Sequence, residues 1–120
     1  MKHLVGRLSG VAIETTGELE ACMDRVAREC RFSVVARAFH QFEPVGATGV
    51  LVLSESHFSA HTYPEHGTVY VDVFCCSPVF DTGACATSLR ENFGARVLEF
   101  EVIDRTHAPT ARDLSLPSSP

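Results

Sequence analysis

The sequence predicts an α/β two-layer sandwich of the α+β kind, a largely antiparallel sheet with two helices on one face. Three observations carry that expectation. One segment places apolar residues at helical spacing behind a capping signal. Another, Thr68 to Cys76, alternates between a valine-rich face and a mixed face bearing Tyr70, Asp72 and Cys76. The elements follow in the order strand, helix, three strands, helix, strand, which suggests helices covering one face of a largely antiparallel sheet.

Residues 7–14, RLSGVAIE, are mildly apolar and read as the first strand. Thr15 with Glu18 three residues later forms a capping box. Behind it Leu19, Cys22, Met23, Val26, Ala27 and Cys30 share one face, predicting an amphipathic helix over roughly residues 17–31. Phe32 to Phe42 is β-branched and aromatic enough for a strand that stops at Glu43-Pro44. Gly49 to Ser54 is a continuous apolar run, expected as a buried strand, and His57 to Thr62 continues extended. Tyr63-Pro64-Glu65-His66-Gly67 has the proline and glycine of a turn. In the next strand Val69, Val71, Val73 and Cys75 make one face, and Tyr70, Asp72, Phe74 and Cys76 the other. Asp81 caps a second helix ending near Gly94, with Cys85, Leu89 and Phe93 as its apolar stripe. Arg96 to Ile103 is the last strand, so residues 1–107 form a single domain. Residues 108–120, APTARDLSLPSSP, hold three of the six prolines and little to bury, and read as a disordered tail.

The 120 residues leave no room for a separate cofactor domain. Fifteen acidic against ten basic residues give a net charge of -5, and no basic block exists to follow phosphates, so nucleic acid is not an expected partner. No run approaches the roughly 20 apolar residues that span a bilayer, and the start lacks a signal peptide's apolar core. A cytoplasmic protein with no membrane partner is expected. The odd number of cysteines (22, 30, 75, 76 and 85) lacks the spacing of a disulfide framework. Cys22, Cys30 and Cys75 read as core residues, Cys76 lies on the polar strand face, and one of the five is a candidate for chemistry. Two helices cover only one sheet face, so a second copy is expected on the other.

Residues 54–76, SESHFSAHTYPEHGTVYVDVFCC, concentrate three histidines, two glutamates and adjacent cysteines between apolar strands. Buried polar groups are costly unless they are satisfied, so this density asks for a function. A zinc site built from His57, His61, His66, Cys75 and Cys76 lacks the C-x-x-C and H-E-x-x-H spacings, and no metal is expected. A cysteine nucleophile with a histidine base has candidates here but no signature.

Glu55-Ser56-His57, then His61-Thr62-Tyr63-Pro64-Glu65, then Val71-Asp72-Val73-Phe74 with Cys76, resemble the bacterial and archaeal S-adenosylmethionine decarboxylases, which depend on a pyruvoyl group. The likeness extends more loosely over residues 5–103, including Phe39-His40-Gln41-Phe42. It implies a precursor that cuts itself between Glu55 and Ser56 into chains 1–55 and 56–120, turning Ser56 into a pyruvoyl cofactor. That ketone condenses with a substrate amine and acts as an electron sink. By the same resemblance His61 transfers protons during processing and Cys76 is the proton donor of decarboxylation. Thr48 stands where the family usually has a processing serine. Phe42 and Tyr63 stack on adenine, and Glu65 accepts hydrogen bonds from ribose. A homodimer of cleaved protomers acting on a small-molecule substrate is implied, with S-adenosylmethionine as that substrate and spermidine synthesis as its use. Tyr63 replaces the usual tryptophan, which keeps arginine or ornithine as alternative substrates; an unprocessed, non-catalytic partner of a decarboxylase is the non-enzyme alternative. One tension is visible in advance. Ser56 and His61 are an odd number of residues apart and face opposite sides of a regular strand, so the shared role requires a bulge or a freed end.

Overall fold

The computed structural model describes residues 1–105; the expected tail at 108–120 lies outside them. The elements are β1 (Lys2–Ser9), α1 (Thr16–Glu29), β2 (Val34–Gln41), β3 (Ala47–Leu53), β4 (Ser56–Tyr63), β5 (Thr68–Cys75), α2 (Thr82–Asn92) and β6 (Val97–Asp104). They build one six-stranded sheet in the order β2-β3-β4-β5-β1-β6, and every pairing is antiparallel. Both helices pack on one face, as the sequence predicts.

The first strand is a correction. It runs from Lys2 to Ser9, not over residues 7–14. Val11 and Ile13 are buried, but in an extended segment beyond the strand, where the Gly10 and Val11 amides both donate to the Gly67 carbonyl. The period-two signal of β1 is masked because its helix-facing side reads Leu4, Gly6, Leu8. Gly6 is bare for a packing reason: a Cβ there would sit 2.9 Å from Leu98 Cδ1 on the neighbouring strand.

The helices begin where their caps require. The Glu18 amide donates to Thr15 Oγ1 at 3.2 Å, and the Ala84 amide to Asp81 Oδ1 at 3.0 Å. Leu19, Met23 and Val26 of α1 and Cys85 and Leu89 of α2 press onto Leu4, Leu8, Leu51, Phe58, Val69 and Val73 of the sheet, all essentially inaccessible. Each such large side chain contributes about 1.5–3 kcal/mol of burial. Phe39 closes the β2 end of this layer by lying over Gly49, where any side chain would collide with its ring.

The opposite sheet face carries no helix. Its central strands line up in rungs: Val52, His57, Phe74 and His3; then Val50, Ser59, Asp72 and Val5; then Thr48, His61, Tyr70 and Arg7. Val5, Val52 and Tyr70 stand roughly two-fifths to one-half exposed there. Among the described residues no helix is long and apolar enough to cross a membrane.

Candidate active site

The peptide between Glu55 and Ser56 lies where the β3–β4 turn enters β4. Its carbonyl is held by a single residue. The Cys76 backbone amide donates to Glu55 O at 3.2 Å, and the Cys76 thiol donates to the same oxygen at 2.9 Å. Cys76 can do both because it follows the last residue of β5, where Ser56 pairs with Cys75. Cys75 points into the core and Cys76 is exposed, as the alternation in the sequence predicts. A carbonyl with two donors on its oxygen is polarised, and it is equipped to carry negative charge if its carbon is attacked.

The open face beside this peptide holds a hydrogen-bonded cluster that the sequence reading did not assemble. His3 Nε2 lies 2.9 Å and His57 Nε2 3.2 Å from Asp72 Oδ2, and the Ser59 hydroxyl donates to Asp72 Oδ1. Burial works to raise the Asp72 pKa, but the donors Ser59, His3 and His57 outweigh it and hold the carboxyl below its usual range. The ligand atoms of His3, His57 and Asp72 lie within 4.8 Å of one another, a spacing a cation could use. Arg105 settles the chemistry. Its guanidinium donates to His3 Nδ1 at 3.0 Å, which places the His3 proton on Nε2, the atom facing Asp72. A metal would need that nitrogen bare, so the donor set suits a network of hydrogen bonds. The signal for His3 was present in the sequence only through its register, which the misplaced first strand hid.

The other predicted residues gather two rungs away. Thr48 Oγ1 and His61 Nδ1 are 2.5 Å apart, the two residues being directly paired across β3 and β4. His61 is flanked by aromatic rings, Phe42 at 5.7 Å and Tyr63 at 5.4 Å between centroids. Phe42 and Tyr63 are each about two-fifths exposed. Glu65 is exposed in the short 3₁₀ turn Pro64–His66 that follows Tyr63. The zinc grouping considered from sequence does not form, since His57 and His61 lie on different rungs and Cys75 faces the core.

Thus the predicted residues form two groups, not one. Pairing along β4 is continuous from Ser56 to His61 on the β3 side and to Tyr63 on the β5 side, with no bulge to turn Ser56 toward His61. Five residues of strand separate them by about 17 Å within one chain.

The family model described as S-adenosylmethionine decarboxylase matches residues 2–106. The chain belongs to the S-adenosylmethionine decarboxylase family. It is 38% identical over 107 residues to the S-adenosylmethionine decarboxylase proenzyme of Symbiobacterium thermophilum, covering 87% of this chain and 81% of that one. To the proenzyme of Clostridium botulinum strain Langeland it is 37% identical over 106 residues, covering 86% and 91%. The crystal structure of the adenosylmethionine decarboxylase from Aquifex aeolicus superposes with a TM-score of 0.79 at 26% identity, covering 94% of this chain and 96% of that one. The sheet with two helices described above is therefore the fold of this decarboxylase family.

Proposed function

We propose that this decarboxylase is made as a precursor that cuts its own Glu55–Ser56 peptide, gains a pyruvoyl group at residue 56, and then decarboxylates S-adenosylmethionine. The double hold of Cys76 on the Glu55 carbonyl oxygen carries the reading. Attack of Ser56 Oγ on the Glu55 carbonyl carbon moves negative charge onto that oxygen, where the amide and thiol donors are already aimed. Collapse of the adduct exchanges the amide for an ester. Removal of the Ser56 α-proton then expels the Glu55 carboxylate, and hydrolysis of the dehydroalanine left behind releases ammonia. Chains 1–55 and 56–120 result. The relatives are themselves named proenzymes, which agrees with a cut of this kind.

The pyruvoyl group supplies the carbonyl that takes up the electron pair freed when carbon dioxide leaves. The surrounding residues fit it. Cys76 Sγ, beside the residue 55 carbonyl, is placed to return a proton to the substrate carbon. Phe42 and Tyr63 offer flat faces to an adenine ring, and Glu65 offers its carboxylate to ribose hydroxyls. His61, with Nδ1 engaged by Thr48, keeps Nε2 for proton transfer in processing.

These roles require that the two groups meet, and about 17 Å of strand keeps them apart within one chain. A homodimer removes the distance, while Ser56, paired with the buried Cys75, must still turn toward the open face. If two open faces pack across a two-fold axis near the Ser59–Asp72 rung, the Ser56 and Cys76 end of one protomer meets the Thr48 and His61 end of the other. Val5, Val52 and Tyr70 supply the apolar surface for such packing.

Intact-mass measurement tests the reading. The wild-type protein should resolve into two chains, with the 56–120 chain blocked to N-terminal sequencing, and Ser56→Ala should stay whole and inactive. A full-length chain with an ordinary serine in active protein would overturn it. A panel of S-adenosylmethionine, arginine and ornithine, read by released carbon dioxide, tests the substrate; activity on an amino acid alone would remove the adenine assignment while leaving the cut intact.

A further inference from the structure

Away from the open face, a cleft of about 710 Å³ lies between the C-terminal end of α1 and the start of α2. Cys30, Cys75 and Cys85 all line it, on the helix-covered side of the scissile peptide, and Glu55 forms part of the same wall. Cys30 was expected as packing, but it is only partly buried, whereas Cys85 is inaccessible. The helices run antiparallel here, with Arg25 meeting Asn92 and Glu29 meeting Ser88, and two contacts bracket the cysteines. On one side the Ser88 hydroxyl donates to Glu29 Oε2 at 2.6 Å; on the other the rings of Phe32 and Phe80 lie 5.9 Å apart. Between these two contacts Cys30 and Cys85 line the same wall of the cleft, one on each helix end.

From this cluster we infer that Cys30 and Cys85 form a redox dithiol that peroxide converts to a disulfide joining α1 to α2.

The environment assigns the roles. Cys30 is partly open to the cleft and Cys85 is buried; the neighbouring Cys85 thiol holds the Cys30 pKa down against the cost of burial, and the Cys85 pKa is raised beside Cys30. Cys30 is thus the attacking sulfur at the cleft and Cys85 the resolving one. The Cys30 thiolate attacks one oxygen of hydrogen peroxide, breaking the O–O bond and giving a sulfenic acid and, with a proton, water. Cys85 then attacks that sulfur and loses its proton, and the sulfenic hydroxyl leaves as a second water. Two thiols lose two electrons and two protons, and peroxide is reduced to two waters.

The bond has a consequence that rests on the self-cleavage reading. Cys30 belongs to residues 1–55 and Cys85 to residues 56–120, so the disulfide would staple the two product chains together.

The test treats purified protein with a small excess of hydrogen peroxide, then blocks free thiols. Peptide mapping should show a Cys30–Cys85 crosslink, reversed by dithiothreitol. On denaturing gels the cleaved protein should run as one joined species without reductant and as two chains with it. Cys30→Ser and Cys85→Ser should each abolish the crosslink. Both thiols remaining open to alkylation after peroxide would overturn the inference. So would a crosslink that persists in Cys85→Ser, which would assign the pairing to Cys75 or another thiol. Failure of the self-cleavage reading looks different: a single chain under both gel conditions, with the Cys30–Cys85 peptide still present in the map.

Discussion

The two ends of the open sheet face are made from the same four strands but carry opposite chemistry. Beside the Glu55–Ser56 peptide the face is polar and tightly bonded: a thiol and an amide on one carbonyl, and next to them two imidazoles and a hydroxyl on one carboxylate. Around His61 the surface is aromatic, with Phe42, Tyr63 and Tyr70 partly open to solvent and one hydroxyl–imidazole pair among them. In the reading proposed above, the first end breaks a bond and the second holds a flat ligand. A regular strand cannot fold these ends together, so within one chain a small sheet divides the site by length, and only a second copy, as proposed, would bring its halves together.

The sharpest way to break this comparison is complementation. Ser56→Ala and His61→Ala proteins should each be inactive alone. Refolded together, they should recover about a quarter of wild-type carbon dioxide release, since half the dimers are mixed and each has one intact site. No recovery would mean that each protomer works from its own residues. Next in size is the carbonyl grip. Cys76→Ala should slow cutting about 100-fold, the usual loss on removing one oxyanion donor. Cys76→Ser should retain much of the cutting rate, because the hydroxyl still donates. Both are read by the fraction cut over time. At the aromatic end Tyr63→Ala should raise KM about tenfold or more, the scale of one lost base-stacking contact, with little change in the rate of cutting. Asp72→Asn gives the smallest effect. The depressed Asp72 pKa contributes stability that is present above its unfolded value, about 3.9, and is lost as pH falls through the lower folded value. The wild-type minus variant difference in Tm should therefore shrink as pH falls below about 4.

Most of the fold is legible in the residues. The Thr15 and Asp81 caps and the Val69–Val73 alternation are local signals that tertiary packing did not override. The first strand was not legible, because Gly6 replaces an apolar residue with a bare position for Leu98, while Val11 and Ile13 offer apolar bulk outside any strand. At the site, strand parity correctly separated an exposed Cys76 from a buried Cys75, while the role given to Cys76 came from the resemblance. The spacing from Ser56 to His61 could not say that the two stand at opposite ends, since a resemblance conveys order along the chain and not distance in space. His3 and Cys85 escaped for a related reason. Each meets its partner through an element far away in sequence, Asp72 across β5 and Cys30 across α1.

The sheet order also says what becomes of a chain nicked at its third turn. Strand β1 belongs to the leading piece, yet it is laced between β5 and β6 of the trailing one, while β3 lies against β4. The two pieces are plaited. Cutting the turn removes a link without opening a seam, and neither piece can drift off unless eight residue pairs are unzipped along each side of β1.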